Sequence, residues 1–98
     1  MILQIVRFQS ALSDAKVEEM FRARSPRYRG VEGLVQKYYL RYPNTGEHGA
    51  VYVWESREAI SAFRESDLGR SIANVYHIEG EKVVAEADVL LTLHADTA

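Results

Sequence analysis

Residues 49–63, GAVYVWESREAISAF, contain the two patterns that decide the fold class. Val51 and Val53 alternate with Tyr52 and Trp54, so both faces of a strand over about 49–55 are apolar. A serine that can cap a helix follows, and then an apolar stripe at helical spacing, formed by Ala59, Ile60, Ala62 and Phe63. The stretch therefore predicts an apolar strand that leads directly into an amphipathic helix.

The rest of the chain divides into similar units. Further strands are predicted at 2–8, 33–42 and 82–94, with helices over about 13–25 and from near Asp67. Ser13 can cap the first helix, and Pro26 is expected to end or kink it because proline has no backbone N–H. The segments YPNTGEHG and EGEK are interpreted as a hairpin loop and a turn, and the tail ADTA (95–98) is expected to fray.

The element order is βαββαβ, which predicts an α+β, ferredoxin-like antiparallel sheet with helices on one face. The first strand is also apolar on both faces, with Leu3 and Ile5 on one and Ile2, Val6 and Phe8 on the other. Because two helices cover one face only, a second copy of the chain is the economical cover for the other. We therefore expect a homodimer.

Composition limits the class of protein. The 98 residues are enough for a single domain over 1–98, with 47% hydrophobic and 27% charged residues, as in folded proteins. The absence of cysteine excludes disulfides, thiolate nucleophiles and cysteine metal sites. The N-terminus lacks the pattern of a signal sequence, and no apolar run is long enough to span a membrane. A cytoplasmic location with no membrane partner is the expectation.

Arginines are concentrated in FRARSPRYRG, residues 21–30, although the net charge of the chain is −2. Glu18 and Arg22 have the spacing of a helix-surface ion pair, and Pro26 interrupts the basic stripe. The group is interpreted as a solvated helix end, with steering of anions as a secondary possibility. An RNA-recognition motif shares the element order, but Gln4 and Ala50 occupy positions where it requires stacking aromatics, so no nucleic-acid partner is expected.

The segments YRGVEGLVQKYYL (28–40) and GAVYVWESREAISAF resemble small monooxygenases of the dimeric α+β barrel superfamily, of the YdhR-like and antibiotic-biosynthesis monooxygenase types. The resemblance covers about residues 2–94. It implies that two sheets from two chains close into a barrel, and that each subunit has a pocket between its sheet and helices. It also implies oxidation of quinol-like or polyketide-like aromatics by oxygen without a cofactor, because the substrate anion itself supplies the electron.

The functional residues of this family are only partly retained at the aligned positions of this chain. The Asn, Trp and His of the haem-degrading branch align with Arg7, Phe63 and Ala73, so haem degradation of that kind is not expected. His77, one helical turn beyond the ligand position, leaves axial ligation in a shifted register open. The pocket Trp of the quinone-forming branch aligns with Trp54 and is retained, whereas its companion Asn falls on Ala50.

The candidate site follows from these residues. Trp54 and Tyr52 either fill the core or the subunit interface, or line an aromatic pocket with Phe63. Tyr38 and Tyr39 point to opposite faces, so one of them is expected to reach the pocket, and Tyr38 is assigned to substrate binding with the other three.

Arg7, in a strand otherwise suited to burial, either stabilises a phenolate or enolate beside Trp54 or forms an ion pair at the strand end. Arg7 and His77 are the catalytic candidates, His48 is expected to be solvated, and no histidine spacing indicates a metal site.

These observations give two hypotheses. The first is a cofactor-independent monooxygenase, or a related enzyme, acting on a small aromatic compound. The second is a non-catalytic protein that binds a small molecule or a neighbouring enzyme.

Overall fold

The computed structural model describes residues 1–94, and the tail 95–98 lies outside the described part. Its elements are β1 (Ile2–Ser10), α1 (Asp14–Tyr28), β2 (Leu34–Tyr42), β3 (Glu47–Trp54), α2 (Arg57–Glu65), α3 (Asp67–Arg70), α4 (Ile72–Val75) and β4 (Ile78–Asp88). The strands form one antiparallel sheet in the order β2-β3-β1-β4. This is the ferredoxin-like arrangement predicted from the sequence.

Strand register separates the two faces of the sheet. Opposed residues share a face in an antiparallel pair, and Ile2 lies opposite Trp54 in the β1–β3 pair, as Val6 lies opposite Ala50. These residues belong to or pack against the buried core on the helix side, with Tyr52 and Ile60. Leu3, Ile5, Val51 and Val53 point the other way and are only half-buried. We call this second surface the open face of the sheet.

Helix α1 continues beyond the predicted end and includes Pro26. The helix therefore does not end at Ser25, one of the two predicted outcomes, because the missing N–H of Pro26 is replaced locally. The Ser25 hydroxyl donates a hydrogen bond to the Arg22 carbonyl at 3.2 Å, the oxygen that the proline cannot reach. The last turn therefore persists to Tyr28, whose side chain is buried.

Helix α2 begins as predicted. The Ser56 hydroxyl accepts a hydrogen bond from the Ala59 N–H at 3.1 Å and caps the helix. Ala59 also fixes the approach of α2 to the turn before β2, because a Cβ on Gly33 would lie 2.4 Å from the Ala59 Cβ. Gly33 has φ 81°, a conformation that favours glycine. The close contact holds α2, which carries Phe63, against the sheet edge.

The last strand differs from its prediction. It starts at Ile78 and ends at Asp88, so EGEK (79–82) is part of β4 and not a turn. The β1–β4 register shifts between Arg7 and Gln9, which makes a bulge that contains Gly80 at φ 69°. Beyond the strand, the side chains of Leu90, Leu91 and Leu93 are 94%, 87% and 89% exposed.

The arginine-rich segment is solvated only in part. Arg22, Arg27 and Arg29 are exposed, as the helix-end interpretation requires, but Arg24 is 8% exposed and faces the sheet. The predicted pair of Glu18 with Arg22 is replaced by an ion pair of Glu18 with Arg41 at 3.4 Å. None of the helices in residues 1–94 is both long and apolar enough to span a membrane.

Candidate functional site

A cavity of about 320 Å³ lies between the sheet and the helices. Its volume is at the lower end of the roughly 300–1,000 Å³ typical of small-molecule sites. Aromatic rings form much of its wall: Phe8, Phe21, Tyr28, Tyr39, Tyr52, Phe63 and Tyr76. Elements from both halves of the chain contribute to it, so the cavity forms only when the helices pack on the sheet.

Two of the predicted pocket residues line this cavity. Tyr52, on β3, and Phe63, on α2, have ring centroids 6.0 Å apart. Trp54 lies behind Tyr52 and is fully buried; the two rings stack at 5.6 Å with an interplanar angle of 9°. The Trp54 Nε1 donates a hydrogen bond to the Gln4 Oε1 at 3.0 Å. Trp54 therefore supports the wall that Tyr52 presents, and is not itself among the lining residues.

Arg7 does not line the cavity, which contradicts the alternative of an anion stabilised beside Trp54 and agrees with the alternative of an ion pair. Strand alternation puts Arg7 on the open face, opposite Gly49 of β3. Its Nε lies 3.5 Å from a Glu47 carboxylate oxygen, and the guanidinium is 5.4 Å from the centroid of the Tyr42 ring. Because apolar residues occupy both faces of β1, the sequence did not show which face Arg7 would take.

Tyr38 and His77 also lie outside the cavity wall. Tyr38 is 57% exposed on the open face, and its neighbour Tyr39 is the tyrosine of this pair that lines the cavity. His77 follows α4 with a positive φ of 47°, and its backbone carbonyl accepts a hydrogen bond from the Ala11 N–H at 3.0 Å. His77 therefore lies in the turn between α4 and β4 and does not contact the aromatic wall.

His48 is buried, which corrects the expectation that it is solvated. It is 1% exposed, and its Nε2 lies 3.8 Å from a carboxylate oxygen of Asp14 at the start of α1. It shares the helix face of β3 with Tyr52, and the Phe21 ring lies edge-on to it at 6.1 Å. The adjacent hairpin turn ends before Glu47, so β3 carries His48 beneath α1.

Lys37 is the principal cavity residue that sequence reasoning missed. Its Nζ lies 3.4 Å from the centroid of the Tyr28 ring, 4.4 Å from that of Tyr39 and 4.7 Å from that of Tyr52. Burial, with a further contribution from the positive charge of Arg24, lowers the pKa of Lys37 to about 7. The π faces of the three rings act in the opposite direction by attracting the ammonium form.

Arg24 is the second residue that was missed. Its Nη2 donates a hydrogen bond to the Ser71 hydroxyl at 2.8 Å, which joins α1 to the start of α4. The guanidinium lies 5.9 Å from the centroid of the Tyr76 ring, and its buried Nε has no hydrogen-bond partner among the described residues. A sequence signal existed, because Val17, Phe21, Arg24 and Tyr28 fall on one helical stripe and all four are buried.

Three tyrosine hydroxyls complete the polar part of the cavity. Those of Tyr28, Tyr39 and Tyr76 are buried without a hydrogen-bond partner within residues 1–94. Burial raises the pKa of each phenol, that of Tyr76 to about 12, while Arg24 acts in the opposite direction. Burial likewise raises the pKa of Tyr52. At neutral pH these groups are therefore protonated and can donate hydrogen bonds.

The described part of the chain holds no group of three or more histidine, aspartate or glutamate side chains placed to bind a metal ion. The cavity instead combines aromatic surface, the Lys37 ammonium and phenol donors, with the Arg24 guanidinium beside its wall. Such an arrangement can bind a flat ring and stabilise a negatively charged oxygen.

Comparison with known proteins gives structural neighbours only. No family sequence model matches the chain, and no curated protein sequence matches it. A presumed antibiotic biosynthesis monooxygenase from Deinococcus radiodurans superposes with a TM-score of 0.75 at 10% identity, covering 98% of this chain and 99% of that chain. SnoaB, a cofactor-independent oxygenase from Streptomyces nogalater, gives 0.75 at 16% identity, covering 94% and 95%.

A protein of unknown function from Nitrosomonas europaea gives a TM-score of 0.78 at 11% identity, covering 97% of this chain and 94% of that chain. These likenesses show that the chain has the α+β fold of the antibiotic biosynthesis monooxygenase-like proteins. The fold class and the structural resemblance predicted from the sequence are thereby confirmed. At such low identity the comparison carries the fold and not the activity.

Proposed function

Starting from the fold that the chain shares with the antibiotic biosynthesis monooxygenase-like proteins, we propose that it is a cofactor-independent oxygenase of a small aromatic compound. The observation that carries this proposal is the aromatic-walled cavity of about 320 Å³, in which a few polar groups converge. SnoaB, with the same fold at 16% identity, is a cofactor-independent oxygenase, which supports the reaction class.

The role of the chain in such a reaction is binding and electrostatic stabilisation. Tyr52 and Phe63 would hold the substrate ring, and Trp54 would keep Tyr52 in place from behind. The substrate, ionised at a hydroxyl group, gives its electrons to O₂, and a bond forms between oxygen and a ring carbon. The O–O bond and the C–H bond at that carbon break, and one oxygen atom remains as a carbonyl. The other leaves as water with the proton from that carbon and the proton lost from the hydroxyl, so the substrate supplies all the electrons.

A homodimer is part of the proposal. Leu3, Ile5, Val51 and Val53 leave the open face of the sheet apolar and only half-buried, whereas the helices cover the other face. An apolar sheet face of this kind is normally covered in a soluble protein. A second copy of the same sheet offers a surface of matching composition.

One observation favours a second candidate function, a small-molecule binder without turnover. Arg7, the cation expected to stabilise a substrate anion, pairs with Glu47 on the open face. The oxygenase hypothesis therefore depends on other cations, of which Lys37 and Arg24 lie against rings of the aromatic wall. A binder needs the same cavity but no reaction with oxygen.

Oxygen consumption by the metal-free protein tests the proposal. We expect uptake of O₂ with at least one member of a panel of hydroquinones, anthrones and flavonols, and a quinone or carbonyl product. Phe63→Leu, in the cavity wall, should raise KM, whereas Ala62→Leu, at the adjacent exposed position of α2, should not. Binding of panel members without oxygen uptake would favour the second candidate and contradict the oxygenase.

A further inference from the structure

Lys37 lines the cavity, Arg24 lies beside its wall near the Tyr76 ring, and both side chains are largely withdrawn from water. Arg24 is 8% exposed, and neither it nor Lys37 lies within salt-bridge distance of a carboxylate in residues 1–94. Buried charges are ordinarily paired, because removal from water disfavours the charged form. Two such groups near one cavity, in a chain whose net charge is −2, require an explanation.

The surrounding hydrogen-bond donors are also unsatisfied. The Arg24 Nε and the hydroxyls of Tyr28, Tyr39 and Tyr76 are buried, and within the described residues they lack hydrogen-bond partners. Leaving buried polar groups unpaired is costly, about 1–3 kcal/mol each. Phenols can donate or accept, whereas the guanidinium and ammonium groups only donate, so this group of side chains has an excess of donors and an added acceptor would satisfy it. A negatively charged oxygen would supply both the missing acceptor and the missing counter-charge.

Other charges around Lys37 do not remove this requirement. From the packed elements, the charged or titratable groups that line the cavity are Tyr28 of α1, Tyr39 of β2, Tyr52 of β3, Arg64 of α2, Tyr76 after α4, and Lys82 and Glu86 of β4. Arg24 of α1 lies beside this wall, near the Tyr76 ring. Glu86 is the one carboxylate among the described lining residues, and it is exposed and hydrogen-bonded to Gln4. Lys82 and Arg64 add positive charge.

We propose that the cavity binds its aromatic ligand through a negatively charged oxygen, a carboxylate or an ionised hydroxyl, placed between Lys37 and the donors around Arg24. The aromatic ring and its ionised form rest on the proposed function, and the new element is the place where the cavity holds the charge and its coupling to the protonation of Lys37. The ring lies against Tyr52 and Phe63, and the anionic oxygen satisfies the Lys37 ammonium and the unpaired hydroxyl groups.

Proton uptake on binding follows from this arrangement. The free protein holds Lys37 at a pKa of about 7, so most of its amine is neutral at pH 8.5. An anion beside the amine favours the ammonium form and raises its pKa. Binding of a ligand that is already anionic in solution, such as a carboxylate, therefore takes up a proton above pH 7, and its affinity falls as pH rises, by up to about tenfold per pH unit. A hydroxyl that ionises on binding supplies this proton itself. A neutral ligand gives neither effect.

Calorimetry with a matched pair of probes tests the proposal on the full chain. 2-Naphthoate carries a carboxylate throughout the range pH 6.5 to 8.5, and 2-naphthamide has nearly the same shape without the charge. Titrations in buffers of different ionisation enthalpy measure the protons taken up. We expect naphthoate to bind at least about tenfold more tightly than naphthamide at pH 6.5, as for a charge-assisted contact, and to take up protons at pH 8.5.

Lys37 variants connect the effect to the residue. Lys37→Arg keeps the positive charge and should bind naphthoate with no proton uptake and a flat pH profile, because arginine does not titrate in this range. Lys37→Met should reduce the preference for naphthoate at least severalfold and abolish the proton uptake, although the other cations remain. Lys16→Met, the same change on the exposed surface of α1, should leave binding and proton uptake unchanged. Circular dichroism verifies the folding of each variant.

Equal affinity for the two probes, no binding of either, or naphthoate binding without proton uptake would each overturn the proposal. So would a preference for naphthoate that is undiminished in folded Lys37→Met. The oxygen assay tests the proposed function independently. Anion binding without oxygen uptake would contradict the oxygenase and support the anion site. Oxygen uptake together with equal binding of both probes would support the oxygenase and contradict the anion site.

Discussion

Lys37 carries more of the site's electrostatics than any residue chosen from the sequence. In isolation, a lysine in a strand indicates a solvated position, and its burial depends on which face of β2 the helices cover. The register settles this, because Lys37 lies opposite Tyr52 on the helix face, while Tyr38 takes the open face. The sequence shows that Lys37, Tyr38 and Tyr39 alternate between the two faces of β2, but it does not show which face the helices cover.

The lowered pKa of Lys37 predicts a pH dependence of stability. The unfolded chain binds the proton with the ordinary pKa of 10.5, and the folded chain with a pKa of about 7. Between these values the unfolded state holds more protons, so this group makes the free energy of unfolding rise with pH, by at most about 1.4 kcal/mol per pH unit. Below pH 7 both states are protonated and the dependence vanishes.

Urea denaturation at pH 7, 8 and 9 would measure this rise. The comparison is with Lys37→Met, which lacks the titrating amine but keeps every other ionisable group. Measurements above pH 10 are avoided because Tyr39 and Tyr52 have raised pKa values, and ionisation of tyrosines in the unfolded chain then acts in the opposite direction. Identical slopes for the wild type and Lys37→Met would show that Lys37 is not desolvated in the folded protein.

At the scale of elements, local signals predicted where α1 and α2 begin, but not where α1 ends or where β4 begins. Ser13 and Ser56 cap α1 and α2 as predicted, with hydroxyls that accept from the third residue along. Pro26 does not end α1, because the hydroxyl of the preceding serine compensates for the lost N–H. EGEK in β4 was misjudged because glycine is used there for a bulge and not for a reversal of the chain.

The cap of α2 provides a test that links local structure to the site. Ser56→Ala removes the acceptor for the Ala59 N–H and should lower the free energy of unfolding by about 1 kcal/mol. Ser61→Ala, an exposed position inside the same helix, should be neutral or slightly stabilising because alanine has the higher helix propensity. Urea unfolding of the two variants measures the difference. Equal effects would indicate that the cap contributes nothing to the packing of α2.

At the scale of the whole molecule, the sequence predicted the topology well and the site poorly. The alternation of apolar residues in β1 and β3 was sufficient for the antiparallel sheet and its two apolar faces. The site depends instead on distant pairs, such as Arg24 with Ser71, which are 47 residues apart. No local pattern encodes such a contact. Because β1 is apolar on both faces, the sequence could not show whether Arg7 would face the cavity, and it lies on the open face.

Assembly is the largest consequence of the open face. Leu3, Ile5, Val51 and Val53 have no helix over them, and the segment after β4 adds strongly exposed leucines at 90, 91 and 93. Covering these surfaces with a second copy should bury more than about 1,000 Å² in total, which is enough for a stable interface. We therefore expect sedimentation equilibrium at micromolar concentration to give a dimer.

A charge at the centre of the open face tests which surface is used. Val51 lies on β3 between Ile5 of β1 and Tyr38 of β2, so Val51→Lys places an ammonium group within the expected interface. The folded variant should sediment as a monomer, because a buried unpaired charge opposes association. Ala62→Lys, on the exposed side of α2, introduces the same group outside the interface and should remain dimeric. A wild-type monomer would contradict the two-sheet arrangement, and a dimer that tolerates Val51→Lys would place the interface elsewhere.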